Sequence, residues 1–198
     1  MDRSANSLPH PKRNPIAWVP SVYFGMGLPY VALSLVSVIM FTDLGVEEEK
    51  VAFWTSLLVL PWSLKPLFSL CMELFGTKHR YIFLTEFITS LMFGAICFAL
   101  PLPSFFIYVV ALMGVLAISG SMHDIAGDGV YMQELTKAQQ GQYAGWQGAF
   151  YNLAKILTNG GLVYLAGYLA KQQGIVSAWM TIMGICAGIM LLLALYHL

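Results

Sequence analysis

Two carboxylates and a histidine directly continue an apolar run that is long enough to cross a membrane. Residues 105–122 carry no charge, and His123, Asp124 and Asp128 follow them. A charge at the bilayer centre costs about 3 kcal/mol on insertion scales, so such residues are paired or used. Residues four positions apart share one helix face, where carboxylates can carry a proton, bind a cation or contact a polar solute. We therefore predict a functional or ion-paired site around Asp124.

The composition places the helices that hold these residues in a lipid bilayer. The chain has 198 residues, of which 58% are hydrophobic and only 10% are charged, whereas soluble domains carry about 25% charged residues. The net charge is zero, so no basic surface indicates a nucleic-acid partner. The three cysteines lie in apolar runs without disulfide or metal spacing, and we predict neither a metal nor a cofactor.

Six apolar stretches reach the length of about 20 residues that a membrane helix requires. They lie near 16–41, 51–74, 81–100, 104–131, 142–170 and 175–197. We predict an all-α membrane protein, in which a six-transmembrane-helix domain at 16–198 follows a cytoplasmic tail at 1–15. The helix count also fits a 3+3 arrangement of inverted repeats, as found in transporters.

The distribution of basic residues predicts the orientation. With the N-terminus inside, the inner side holds Arg3, Lys12, Arg13, Lys78, Arg80 and Lys137. The outer side holds only Lys50 and Lys171. The positive-inside rule therefore favours a cytoplasmic N-terminus and, with six spans, a cytoplasmic C-terminus.

Further ionisable residues fall inside the predicted spans, namely Lys65, Glu86 and Lys155. At about 1.5 Å per residue, all lie at middle or cytoplasmic depth, as does Asp124, while Asp128 approaches the inner boundary. Either lysine can reach Asp124. Two interpretations stay open, a static network of buried ion pairs and a hydrated cavity whose carboxylate exchanges a proton or contacts a solute.

The fifth predicted span carries a polar stripe beside a row of small residues. Gln147, Tyr151 and Lys155 recur every four residues, with Asn152 and Asn159 on a neighbouring line. Since lipid cannot satisfy these groups, we expect the stripe to line a water-filled cavity. The small residues, which include Gly145 and Gly148, are typical of close helix packing in membranes.

Glycine and proline interrupt the first two spans. The first span contains Gly25, Gly27 and Pro29, and Pro61 and Pro66 bracket the lysine of the second span. We predict a kink or a close helix crossing at each place.

Four short segments occur in an order that resembles one protein family. They are Tyr23-Phe-Gly25-Met-Gly27-Leu-Pro29, Lys65-Pro-Leu-Phe-Ser69, Asp124-Ile-Ala-Gly-Asp128-Gly129 and Tyr151-Asn-Leu-Ala-Lys155-Ile-Leu-Thr-Asn-Gly160-Gly161. Together they resemble the AmpG-type muropeptide permeases and the acetyl-CoA transporters of the major facilitator superfamily. A fifth segment, Glu73-Leu-Phe-Gly76-Thr-Lys78-His-Arg80, resembles the general superfamily loop between the second and third helices. The chain departs from that pattern at His123, which replaces Gln, at Glu73, which replaces Asp, and at Leu70-Cys71, which replaces a proline-containing pair.

The resemblance implies the N-terminal half of a major facilitator fold in the cell (inner) membrane. It implies a secondary transporter, not an enzyme, that takes up muropeptide-like or related polar solutes with protons. The expected partners are the solute, the lipid bilayer, and a missing C-terminal six-helix half or a second copy. The implied cavity residues are Asp124, Asp128, Lys65, Lys155, Gln147, Tyr151 and Asn152, with Asp124 as the coupling carboxylate. Glu73, Gly76, Lys78 and Arg80 are implied to form the gating loop.

Two alternatives stay open at this point. The chain can be a non-transporting remnant or an assembly subunit of half length. It can also be an intramembrane prenyltransferase, because Asp-x-x-x-Asp can hold Mg²⁺ for a diphosphate substrate. The second alternative lacks a facing acidic cluster in the sequence, and nearby lysines would compete with the metal.

Overall fold

The computed structural model describes residues 14–74 and 76–198. Within these residues the chain is helical and contains no strand, which confirms the predicted all-α fold. The predicted tail at 1–15 falls mostly outside the described residues, together with Arg3, Lys12 and Arg13.

The described helices form six successive rods, three of which are interrupted. The first rod comprises α1 (Pro15–Val31), the π-helix π1 (Ala32–Val36) and α2 (Ser37–Asp43). The second comprises α3 (Glu48–Ser63) and α4 (Lys65–Leu74), the third is α5 (Lys78–Ala99), and the fourth is α6 (Phe105–Glu134). The fifth comprises α7 (Lys137–Ile156), π2 (Leu157–Leu162) and α8 (Val163–Gln173), and the sixth is α9 (Ile175–His197).

Four of these rods are long and apolar enough to cross a membrane, namely the first, third, fourth and sixth. A fifth crossing is added when the bent pair α3–α4 is counted as one span. The described chain is therefore a multi-pass membrane bundle. The rod from α7 to α8 is more polar and falls below this limit of apolarity, so its crossing stays a prediction, as do the inverted repeat and the orientation.

The predicted interruptions appear at the glycine and proline positions. The second rod bends by 48° between α3 and α4, where Pro61 and Pro66 flank Leu64. Proline removes a backbone donor and clashes with the preceding turn, which explains the break. In the first rod, Pro29 lies inside α1 and π1 begins three residues later. The bend leaves Lys65 as the first residue of α4, beside the centre of the bundle.

A polar layer divides the buried core into two apolar clusters. The larger cluster contains the second half of α1, π1 and α2 with residues of α5, α6 and α9, and includes the fully buried Phe41, Leu116 and Met183. The smaller one surrounds Trp18 and Val130 near the other end of α1 and α6. Most of the buried polar residues described in the bundle lie between them, on α5 and α6, namely Thr85, Glu86, Thr89, Ser119, Ser121, His123 and Asp124. This layer contains the candidate site.

Local capping supports the start of the polar rod. The Thr136 hydroxyl accepts a hydrogen bond from the Gln139 amide at 3.3 Å, and the Gln139 side chain accepts one from the Thr136 amide at 3.0 Å. This reciprocal pair satisfies two amides that a helix start leaves without partners. The cap therefore fixes the start of α7, which has few buried apolar residues to stabilise it.

Candidate functional site

Asp124 lies at the meeting point of α6 with the bend in the second rod. One carboxylate oxygen, Oδ2, accepts hydrogen bonds from Lys65 Nζ and Trp62 Nε1, each at 2.9 Å. Asp124 is 7% exposed, and its Oδ1 is buried without a hydrogen-bond partner among the described residues. The carboxylate is therefore paired on one oxygen and unsatisfied on the other, which is costly inside a protein.

Asp128 has a different environment, one helical turn further along α6. Its carboxylate is exposed and accepts a hydrogen bond from the Tyr23 hydroxyl at 2.8 Å. The Gln147 side-chain amide donates in turn to the Tyr23 hydroxyl. The chain Gln147–Tyr23–Asp128 joins α7, α1 and α6, and it shares no hydrogen bond with Asp124.

A cavity of about 380 Å³ brings most of the predicted cavity residues together. Its lining includes Tyr23, Lys65, Asp124, Asp128, Gln147, Gly148 and Tyr151. Residues from α1, α4, α6 and α7 thus converge on one polar space. Its size suits a small polar molecule or several waters.

Lys155 does not reach Asp124. Its ammonium lies 5.5 Å from the ring centre of Tyr151, within the range of a cation–π contact. Lys155 and Asn159 line a second cavity of about 350 Å³, together with Val31 and Leu35 of the first rod. Asn152 also lines this cavity and donates to the Gly148 carbonyl of its own helix at 2.9 Å. The polar stripe of α7 therefore borders two cavities, one on each side of Tyr151.

The loop between α4 and α5 lies against the end of α6. Gly76 has a φ of +102°, a conformation that glycine adopts without steric cost. Glu73, Gly76 and Lys78 border a cavity of about 540 Å³ with Glu134. The Lys78 side chain lies directly against α6. A Cβ added at Gly129 would be only 2.7 Å from the Lys78 Nζ atom. Arg80 is exposed.

The glycines of the first and fifth rods have different surroundings. Gly25 and Gly27 are buried in α1, as is Pro29, and an added Cβ at either glycine would come within 3.1 Å of a neighbouring atom. An added Cβ at Gly145 or Gly148 would meet no atom within 4 Å. Of these four glycines, the two of α1 lie at a close helix approach, whereas Gly145 and Gly148 meet no neighbour among the described residues.

The comparison with known families decides the class of this bundle. The family model described as the BT1 family matches residues 25–198, which include Lys65, Asp124, Asp128, Gln147 and Tyr151 of the candidate site. The chain belongs to the BT1 family. No curated protein and no solved structure matches the chain.

Membership of the BT1 family confirms the coarser part of the resemblance seen in the sequence. This family is related to the major facilitator superfamily and includes the AmpG-type and acetyl-CoA transporters. The chain is accordingly a multi-pass membrane protein with a transporter-type function.

Two residues of the candidate site did not emerge from the sequence as site residues. Trp62 donates to Asp124, and Tyr23 joins Asp128 to Gln147. Both are aromatic residues in apolar runs, where packing is the ordinary role. The polar tip of a buried aromatic ring usually forms a hydrogen bond. The sequence signal for Tyr23 and Trp62 was their position near the glycine and proline residues that interrupt the helices.

We expect Tyr23→Phe to lower the free energy of unfolding by about 1 kcal/mol, the usual net value of a hydrogen bond. The substitution removes the donor to Asp128 and leaves the Gln147 amide without its acceptor. Thermal unfolding in detergent measures the change. Tyr164→Phe is the matched control, because Tyr164 is 78% exposed. Equal stability of the two variants would contradict the predicted hydrogen-bond chain.

Proposed function

We propose that this BT1-family chain is the N-terminal half of a proton-coupled secondary transporter that takes up muropeptide-like or related polar solutes. In this proposal Asp124 is the coupling carboxylate and Lys65 is its counter-ion. Tyr151, Gln147 and Lys155 belong to the wall that the solute contacts.

The observation that carries the proposal is the unsatisfied oxygen of Asp124. Oδ2 is held by Lys65 and Trp62, while Oδ1 is buried beside the 380 Å³ cavity without a partner. A proton on Oδ1 would turn that oxygen into a donor and would neutralise the carboxyl group. Neutralisation also weakens its attraction for the Lys65 ammonium, which then becomes free to meet an anionic group of a solute.

The position of Lys65 supports a coupling role, because it lies directly after the bend of the second rod. Interrupted helices beside ionisable residues are typical of transport sites, where a broken helix can change its angle. The Lys65–Asp124 pair therefore links α4 to α6 across the cavity. Breaking and reforming that link with each proton would change the packing of these two helices.

Uptake by the full-length protein in proteoliposomes tests the coupling role of Asp124. With a labelled muropeptide and an imposed proton gradient, we expect Asp124→Asn to lose gradient-driven accumulation. We expect it to keep solute exchange without a gradient, since asparagine still offers an oxygen to Lys65 and Trp62. Glu49→Gln, at an exposed acid near the start of α3, is the control. Accumulation by Asp124→Asn at the wild-type rate would remove Asp124 from the coupling role.

A second candidate function is a half-length subunit that does not transport alone. Three polar residues, Gln147, Asn152 and Asn159, line the two cavities on the side of the fifth rod. Polar groups at such open cavities favour a partner subunit that covers them. The DNA downstream of codon 198 discriminates between the candidates. An in-frame continuation with six further spans supports the full transporter, while a stop codon and a stable homo-oligomer support the subunit.

A further inference from the structure

A second group of buried ionisable residues lies on another face of α6, away from the Asp124 cavity. Glu86 of α5 has no exposed surface, and His123 of α6 is 1% exposed. His197 of α9 completes the group, with a side chain that is 6% exposed. We call these three residues the Glu86 cluster.

The contacts of the Glu86 cluster join four helices. His197 Nδ1 lies 2.8 Å and 2.9 Å from the two carboxylate oxygens of Glu86, and its Nε2 lies 2.9 Å from the Ser21 hydroxyl of α1. His123 Nε2 lies 3.9 Å from Glu86 Oε1 and 3.3 Å from the Val22 carbonyl. Its Nδ1 lies 3.1 Å from the Thr85 hydroxyl. Every helix packed around Glu86 thus contributes a polar partner.

Close backbone approach gives the cluster its space. A Cβ added at Gly25 would lie 3.1 Å from Glu86 Oε1 and 3.2 Å from His123 Nε2. The glycine therefore lets α1 pass directly beside the carboxylate and the imidazole. The two nearest atoms at this point belong to ionisable side chains, and the apolar Leu193 Cδ1 follows at 3.5 Å.

The charge of the Glu86 cluster depends on protons alone. Among the described residues, the ion-pair partners of Glu86 are His197 and His123, and neither lysine nor arginine pairs with it. With one proton shared between Glu86 and His197, the pair has no net charge. Loss of that proton leaves a bare carboxylate in a space without exposed surface, and gain of a second leaves an unpaired imidazolium. Both are costly unless water enters or the helices separate.

A route connects the cluster with the end of the bundle where the Lys78 loop lies. His197 borders a cavity of about 240 Å³ together with Trp18, His79 and Glu134. His79 and Glu134 form an ion pair of 2.6 Å at this end, and the His79 side chain is 62% exposed. Protons can therefore reach His197 from the surface without crossing the Asp124 cavity.

We propose that Glu86 and His197 form a second proton-binding site of this protein, separate from Asp124. The proton moves between the bulk and His197 through the 240 Å³ cavity, and Glu86 balances its charge. His123 lies next to Asp124 in the chain, so the charge of the Glu86 cluster changes the electrostatic potential at the Asp124 cavity. Because proton loss requires α5 and α9 to separate or to admit water, proton exchange here is tied to the packing of the sixth rod. This inference does not depend on the proposed role of Asp124.

Histidine NMR of the ¹⁵N-labelled full-length protein in nanodiscs tests the second proton site directly. The chain has four histidines, and His197→Gln and His123→Gln assign their signals. We expect the ring-nitrogen signals of His197 to show a proton shared with Glu86. In Glu86→Gln these signals should shift, because the carboxylate that shares the proton is lost.

Two matched variants separate this effect from a general change in folding. Glu134→Gln should shift the signals of His79, its ion-pair partner, and leave those of His197 unchanged. Asp124→Asn should leave the His197 signals of a shared proton in place. His197 signals without a shared proton, or signals that are the same in wild type and Glu86→Gln, would overturn the second site.

Infrared difference spectroscopy keeps the proposal testable if Glu86→Gln does not fold. Spectra of the wild type at low and high pH should contain a carboxyl band that disappears in His197→Gln, since the two groups share one proton. A wild-type spectrum with the same bands as His197→Gln would overturn the proposal. Neither measurement needs a solute, so its failure is distinct from a failure of the uptake assay for Asp124.

Discussion

Replacing Lys65 by methionine is expected to lower the free energy of unfolding by about 3 kcal/mol, the lower end of the cost of breaking a buried ion pair. The lower end applies because the Lys65 side chain keeps 34% exposure, while that of Asp124 keeps only 9%. The loss arises from the carboxylate left behind, which retains Trp62 as its one donor among the described residues. Thermal unfolding or denaturation in detergent measures the change.

A double-mutant cycle shows whether the loss belongs to the pair. Lys65→Met combined with Asp124→Asn should recover much of the stability, because no buried charge then remains unpaired. We expect a coupling free energy between about 0.5 and 3 kcal/mol. Lys155→Met, which removes a lysine that has no carboxylate partner in the described chain, is the control and should change stability little. Purely additive effects at Lys65 and Asp124 would contradict the pairing.

Gly27→Ala is expected to lower the free energy of unfolding by about 2 kcal/mol, in the range of overpacking in a tight interior. The added Cβ would lie 2.6 Å from the Tyr151 carbonyl oxygen and 2.9 Å from the Ala154 Cβ. The first of these is backbone, so α1 and α7 must move apart. Since Tyr151 and its neighbours line the cavity, uptake should fall together with stability.

Gly148→Ala provides the matched control for the helix crossing. It makes the same chemical change in α7, where an added Cβ meets nothing within 4 Å. Alanine is the better helix former, so the variant should be neutral or slightly stabilised. Equal destabilisation of Gly27→Ala and Gly148→Ala in thermal unfolding would show that α1 and α7 do not cross closely at Gly27.

Much of the architecture could be predicted from the pattern of apolar residues. Each predicted stretch corresponds to one helical rod, from 16–41 within Pro15–Asp43 to 175–197 within Ile175–His197. Hydropathy works here because every backbone polar group in lipid must be satisfied within its own helix. The bend of the second rod was also predictable, since Pro61 and Pro66 have a local steric effect.

The details of the helices were less accessible to sequence reasoning. The π-helices Ala32–Val36 and Leu157–Leu162 have no reliable local signal, because a π-helix depends on packing against its neighbours. The small residues Gly145 and Gly148 follow a packing pattern, yet nothing in the described chain approaches them. A periodic pattern of small residues indicates one face of a helix, but it does not show which neighbouring helix packs on that face.

The sequence by itself determined which residues are costly in a membrane. Asp124, Lys65, Glu86 and Lys155 stand out because a charge in an apolar run carries a large desolvation cost, whatever the fold. Their partners depend on distances between helices that are remote in the chain. Only the tertiary structure selects Lys65 over Lys155 for Asp124, and only it brings His197 to Glu86 across 111 positions. The physical reason is that burial follows from composition, whereas pairing follows from how the rods are bent and packed.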